Sequence, residues 1–483
     1  TGAWTAAGET GEPDLAEYHL DWWNGFNQHN NDDLDPPTGN GLEVHNGGDY
    51  RVTTAYLSRL EGAVRNIDGQ SFTTPPVRWK DSYHYFYPRE VEWFVIGPDL
   101  EGIDLIKEMI MTYGVLGTCM CYSGSYINND YIHYQPASTS DDPNHAVSII
   151  GWDDAKETQA ENPGAWIVKN SWGTGWGFDG YFWISYYDKH CARHPEMGAI
   201  SFQDVEALQY SNSYFHDYHG WRDTKTDIQE AFNAFIAEDN ETLTSVNFFT
   251  AVHNVDFEIK IYDSFSGGIL SDELSSISGN IVYSGLHTID LEDSVCLIAG
   301  NDFFIYLYLS EGGHPYDRTS IVPVLLGADS RTEVKSTASE NESFYKVGED
   351  WLDFYDYDDP SGYQNTGNFC IKGLAVADSL VGIQSHHADT EILATLHQNA
   401  PNPMINQTRF DFQVGNDVHV ELSIYSMDGR KLVELMNEMK AAGTHSIQWD
   451  GTTAGGKLLE PGIYIYTLQT GNSRLSKRLI IMK

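Results

Sequence analysis

The chain has 483 residues, 41% apolar and 20% charged. This is ordinary for folded protein and, at roughly 150 residues per domain, long enough for about three domains. Its net charge of −42 makes nucleic acid an unsuitable partner, because so acidic a surface repels a phosphate backbone. No run approaches the roughly 18 apolar residues of a membrane-spanning helix, and nothing in the composition calls for an organic cofactor.

The first 14 residues read as a polar loop. They have neither the basic start nor the apolar stretch of a signal peptide, so a processed or truncated product beginning at Thr1 is expected. A turn-rich stretch follows at 31–39. A helix is predicted over 49–60, where Val52, Ala55, Tyr56 and Leu60 recur at helical intervals, with Gly62 as a stop. A second is predicted over 102–113. There Ile103, Ile106, Ile110 and Tyr113 form one stripe and Gly114 ends it. Strands follow at 145–152, 165–169 and 181–186, divided by Asp, Asn, Pro and Gly turns. Helices first and strands second predict an α+β domain of two lobes over 1–200.

Residues 201–377 alternate in short strands at sandwich-like spacing, so a β-sandwich is predicted there. Residues 378–398 read as a linker. Residues 399–483 form strands again, with turn signals at Asp428-Gly429 and Pro461-Gly462. Charge marks this last part as a separate module. Residues 1–200 carry −18, 201–380 carry −23, and 381–483 only −1. The five cysteines are Cys119, Cys121, Cys191, Cys296 and Cys370. Cys119 and Cys121 lack the second pair a zinc site needs and are expected to be buried thiols. A Cys296–Cys370 bridge stays open.

The densest signal lies at 144–184: Asn144-His145-Ala146-Val147, then Val168-Lys169-Asn170-Ser171-Trp172-Gly173-Thr174-Gly175-Trp176-Gly177, then Gly180-Tyr181. It resembles the papain family of cysteine peptidases. The resemblance implies that His145 exchanges a proton with a thiol. It also implies that Asn170 orients the imidazole and that Trp172 packs over their hydrogen bond and excludes water. The pair Gly47-Gly48, after Asn46, resembles the family's glycines that pair with an extended substrate backbone. Asn144, Ala146 and Cys119 are implied to bind substrate around an apolar pocket. His45 or Val44 stands where the family has a disulfide cysteine. The family's nucleophile motif, upstream of the glycine pair, has no counterpart in the 483 residues. Two readings follow: the nucleophile precedes Thr1, or the chain is a non-catalytic relative.

The stretch 209–221, Gln209-Tyr210-Ser211 through Gly220-Trp221, resembles the lectin-like domain of bacterial papain relatives, which implies a fold more than sugar binding and leaves a glycan as a candidate partner. Asp353, Asp356, Asp358 and Asp359 read as a solvated acidic loop before they read as a calcium loop. Asn399-Ala400-Pro401-Asn402-Pro403, Ile424-Tyr425-Ser426-Met427-Asp428-Gly429-Arg430, Pro461-Gly462-Ile463-Tyr464 and the final Lys477–Lys483 resemble the sorting domain of type IX secretion cargo. The expected whole is an α+β papain-like domain lacking part of its N-terminal lobe, followed by two all-β sandwich domains. The implied function is a secreted or cell-surface cysteine endopeptidase with a Cys-His-Asn triad, acting on protein or peptide and exported by the type IX machinery. The competing reading is an inactive exported protein that binds glycans or proteins through its sandwich.

Overall fold

The computed structural model describes residues 14–34, 41–45, 47–322, 332–377, 394–396, 399, 404, 406–414, 418–426, 430–453, 455–459, 462–470 and 473–481. The chain divides into two compact units, Thr1–Asp378 and Ser379–Lys483. Four α-helices, all in the first unit, are described: α1 (Glu17–Trp23), α2 (Tyr50–Ser58), α3 (Asn66–Gly69) and α4 (Ile103–Tyr113).

Helix α2 starts where Asp49 Oδ1 accepts the Val52 N–H at 2.8 Å, which satisfies an otherwise orphan donor of the first turn. Its apolar positions Val52, Ala55 and Tyr56 are buried as the periodicity predicts, and the helix ends at Ser58, short of Gly62. Helix α4 ends at Gly114, whose φ of +86° suits a residue without Cβ and lets its N–H close on Ile110 O at 2.8 Å. Ile106, Met109 and Ile110 of α4 face a sheet, sharing a core with Val147, Ile149, Trp166, Val168, Phe182 and Ile184. Burying each such side chain contributes about 1.5–3 kcal/mol.

That sheet has eleven strands. In spatial order they are Ile132–His133, Tyr181–Ser185, Ala165–Lys169, His145–Asp153, Leu116–Met120, Ala199–Ala207, Phe86–Phe94, Gly285–Leu297, Glu241–Thr250, Ile371–Ala377 and Asn212–Tyr214. The strand Ala199–Ala207 runs through residue 200, and Phe86–Phe94 pairs with it on one side and with Gly285–Leu297 on the other. Strands of the first 200 residues and of 201–377 therefore share one hydrogen-bonded sheet.

A six-stranded sheet packs on the later part: Ile269–Ile281, Val255–Ser266, Asp302–Leu309, Glu230–Ile236, Ser343–Val347 and Asp350–Asp353. Leu243, Val246 and Phe248 of the large sheet meet Ile259, Ile261, Ile305 and Leu307 of the small one in a common core. Alternate residues Phe304 and Tyr306 point the other way, the period of two that a sandwich strand requires. Two of these strands run to 12 and 13 residues, longer than the short strands predicted.

The second unit is a separate β-sandwich. A three-stranded sheet (Ala394–Leu396, Thr408–Val414, Gly443–Trp449) and a four-stranded one (Lys431–Lys440, Val418–Ser426, Gly462–Thr470, Ser473–Ile481) share the core of Phe410, Phe412, Leu422, Ile424, Tyr466 and Leu468. Strand Ala394–Leu396 falls in the stretch read as a linker. The Asp428-Gly429 turn, Pro461, residues 400–403 and the last two residues lie outside the described residues. Asn399 is described: its N–H donates to the Tyr466 hydroxyl at 2.8 Å.

Candidate active site

His145 opens the strand His145–Asp153, opposite Met120. On its other side that strand pairs Ser148 with Lys169. Continuing this antiparallel register past Lys169 brings Asn170 and Trp172 alongside His145. His145 Nε2 and Asn170 Oδ1 are 2.8 Å apart. A carboxamide oxygen only accepts, so Nε2–H is the donor here and Nδ1 is the nitrogen left to exchange a proton with a partner. The Ser171 N–H donates to the same oxygen at 2.8 Å, which fixes the amide orientation. Trp172 stacks on the imidazole with ring centres 4.7 Å apart and planes at 26°.

The 170–180 loop that carries these groups is pinned at both ends. The Asn170 N–H donates to Gly180 O at 2.9 Å. Gly177 has φ +65°, and a Cβ there would lie 2.3 Å from Tyr181 O, so the turn requires glycine. Trp176 packs edge-on against Trp172 and Phe182, at 5.1 Å from each.

The other residues singled out in sequence fall differently. Gly47 is exposed and Gly48 half-buried, beside the N-terminus of α2; Asn46 lies outside the described residues. Ala146 is half-buried. The Asn144 side chain is engaged with the backbone of Tyr122. Cys119, expected to bind substrate beside Ala146, shares one sheet face with it. Cys119 pairs across the ladder with Ala146, so it points to the face opposite His145, and it is fully buried against Met197 and Tyr50. His45, at the family's disulfide position, instead staples two segments. Nδ1 lies 2.6 Å from Asp21 Oδ2, Nε2 lies 2.7 Å from Phe72 O, and the ring stacks on Phe72 at 4.3 Å.

All five cysteines are free, so the open Cys296–Cys370 bridge is absent. Burial pushes the thiols of Cys119, Cys121, Cys191 and Cys370 up, helped by nearby carboxylates such as Asp188 and Asp217. Such thiols are poor nucleophiles. Cys296 is exposed on the strand Gly285–Leu297, remote in the sheet order from His145.

Among the described residues, one group has the chemistry to hold a metal: Asp33, His219 and Asp317, with ligand atoms all within 4.8 Å of one another. The acidic run does not converge in this way. Asp353 accepts from Tyr355 N–H and Asn341 N–H, while Asp359 binds Ser361 and the Tyr316 hydroxyl. Burial pushes the Asp33 carboxyl up to about 7, against hydrogen bonds from Thr337. Burial also pushes Asp317 up, aided by Asp33 and Asp217, and pushes His219 down to about 3, aided by Arg59. Folded Asp33 thus holds a proton that the unfolded chain releases at ordinary carboxylate pH. Its contribution to stability falls as pH rises from about 4 to 7, while the His219 term runs the opposite way from about 3 to 6.5. Asp33→Asn removes the first term together with the help Asp33 gives to the raised Asp317 carboxyl, which acts in the same direction. The melting temperature of the variant minus that of the wild type is expected to increase from pH 4 to 7 and then level off; a flat difference contradicts the assignment.

An apolar cavity of about 530 Å³ lies between α2 and the large sheet, walled by Tyr50, Leu57, Val64, Phe86, Ile200 and Phe202. No helix among the described residues is long and apolar enough to cross a membrane.

Comparison with known proteins matches three stretches to family profiles. Residues 104–199 match "Papain family cysteine protease", 213–375 match "Lectin like domain", and 400–482 match "Secretion system C-terminal sorting domain". Procathepsin L of Felis catus is 46% identical over 61 residues, 12% of this chain and 18% of the relative. Cathepsin Q of Rattus norvegicus is 29% identical over 152 residues, 31% of this chain and 38% of the relative. The chain therefore spans well under half of these curated relatives. Among solved structures, Cwp84 after propeptide cleavage superposes with a TM-score of 0.61 at 22% identity, over 78% of this chain and 92% of that one. The cysteine protease and lectin-like domains of Cwp84, a surface layer associated protein of Clostridium difficile, give 0.57 at 23% identity, over 76% and 80%. At that identity the likeness concerns the fold. The sorting domain places the chain among secreted or cell-surface proteins. The chain thus carries a papain-family cysteine-protease domain adjoined by a lectin-like domain and followed by a secretion-system C-terminal sorting domain.

Proposed function

We propose that the complete protein is a cysteine endopeptidase in which His145 is the acid–base, Asn170 its orienter, and the nucleophile a cysteine outside residues 1–483. The 2.8 Å hydrogen bond from His145 Nε2–H to Asn170 Oδ1 carries this reading. It leaves Nδ1 as the basic nitrogen. The thiol proton passes to Nδ1, and the thiolate adds to the scissile carbonyl carbon. The imidazolium returns the proton to the departing amine as the C–N bond breaks, and water then hydrolyses the thioester by the same exchange. The family match at 104–199 supports the chemistry, and the apolar cavity beneath α2 supports a seat for a further apolar segment. Gly47, Gly48 and Ala146 are proposed to meet the substrate backbone and side chains. We also propose the division 1–200 for the peptidase, 201–377 for the lectin-like part, 378–398 for a linker whose strand Ala394–Leu396 pairs into the C-terminal sandwich, and 399–483 for type IX sorting. Peptides or proteins are the proposed substrates, with a glycan as partner of the lectin-like part.

The second reading is an exported binding protein without catalysis; the burial of four thiols and the placement of the fifth on a distant strand fit either reading. Cleavage by the upstream-extended wild type separates the two, and Asn170→Ala tests the orienter role. In the chain extended upstream to include the cysteine, this variant is expected to lower kcat less than loss of His145 does, because Asn170 orients and transfers no proton. A rate equal to wild type removes the orienter role, and no cleavage by the extended wild type favours the binder.

A further inference from the structure

The side chain of Asn144 is spent on one residue. Its Oδ1 accepts the Tyr122 N–H at 2.7 Å, and its Nδ2 donates to the Tyr122 carbonyl at 3.2 Å. The ladder between Leu116–Met120 and His145–Asp153 ends here, and the preceding residue, Pro143, has no N–H with which to continue it. The carboxamide takes the place of a neighbouring strand and locks the backbone of Tyr122. The Tyr122 ring then stands edge-on to Trp172, centres 4.5 Å apart and planes at 87°. Trp176 closes the group, 5.1 Å from Trp172 and 6.4 Å from Tyr122. Trp172 is 42% exposed, so few contacts other than these rings and His145 hold it over the imidazole.

We propose that Asn144 and Tyr122 are positioning residues: the Asn144 carboxamide fixes Tyr122, and the Tyr122 ring holds Trp172 as the cover of the His145–Asn170 hydrogen bond. This rests on the reading of that pair as catalytic machinery. The lever is water access. An indole free to swing outward exposes the Nε2–H···Oδ1 bond, and a bond exchanging with water orients the ring less well. Edge-to-face ring pairs of this kind bias an equilibrium by between about twofold and about tenfold, which sets the size of the expected effects.

The test uses the 483-residue chain labelled with ¹⁵N-histidine, reading solvent exchange of the His145 Nε2–H proton by NMR. It adds kcat and KM in the upstream-extended protein. Tyr122→Ala and Asn144→Ala are expected to speed exchange at His145 by about twofold to tenfold with the melting temperature and backbone amide exchange of the core unchanged. The same variants should lower kcat over a similar range at constant KM. Tyr122→Phe should restore wild-type behaviour, since the ring is the contact. Wild-type exchange in Tyr122→Ala, or Tyr122→Phe as impaired as Tyr122→Ala, overturns the proposal alone. A His145 proton already in fast exchange in the wild type overturns both the proposal and the catalytic reading of the pair.

Discussion

In the protein expressed from its complete reading frame, with the nucleophile proposed to precede Thr1, His145→Ala is expected to lower peptide cleavage by at least about 10²- to 10⁴-fold, the range for loss of a positioned acid–base group. The loss should fall on kcat, because the imidazole acts on the thiol and on the leaving amine and contributes little to ground-state binding. The fold should persist. His145 is half-buried at the start of a strand, and its side-chain contacts are one carboxamide and one indole. Val147, Ile149, Trp166 and Val168 hold the strand pair without it. Turnover within a few-fold of wild type, with an unchanged melting temperature, would remove His145 from the mechanism.

The largest effect on stability is expected from Lys372→Met. Lys372 lies in the large sheet opposite Asn247, and its ammonium donates to Asp217; both side chains are fully buried. Burial pushes the Asp217 carboxyl up, and Lys372 is the first of the groups that hold it down. Removing the ammonium leaves a buried carboxylate with no counter-charge, which costs about 3–5 kcal/mol. That is a large share of the roughly 5–15 kcal/mol by which a domain is stable. The urea midpoint of the first unit should fall steeply. Asp217→Asn combined with Lys372→Met should recover most of the loss, because the penalty belongs to the orphaned charge rather than to the missing pair. A Lys372→Met midpoint within the equivalent of about 1 kcal/mol of wild type would mean that water reaches Asp217.

The parts of the fold that local pattern controls were legible in the sequence. Helices α2 and α4 lie within two residues of the predicted spans, and the strands at 145, 165 and 181 start where they were read, because apolar periodicity and Gly stops are local signals. The strand Phe86–Phe94 was not read. It contains Pro88, which speaks against a central strand; there Pro88 pairs with Val205 on one side only, because Gly285–Leu297 reaches only Glu90–Glu92 on the other. Its partner lies about two hundred residues away, and no single sequence states such a pairing. The continuous sheet escaped for the same reason, as did the grouping of Asp33, His219 and Asp317 from three distant segments. The motif brought His145, Asn170 and Trp172 together correctly, because a short strand–turn–strand carries all three. It carries no signal for the burial of the Cys119 side chain, which depends on Met197 and Tyr50 from elsewhere. Tyr122 had no signal of its own beyond its place next to Cys121.

The central claim is that His145 serves a thiol supplied from outside these 483 residues. Alkylation at neutral pH with a substoichiometric peptidyl epoxide, followed by mass-spectrometric mapping of the protein expressed from its complete reading frame, tests it most directly. A single labelled cysteine preceding Thr1 is expected, with labelling lost in His145→Ala. Label on Cys119, Cys121, Cys191, Cys296 or Cys370, or upstream label that is indifferent to His145, would contradict it.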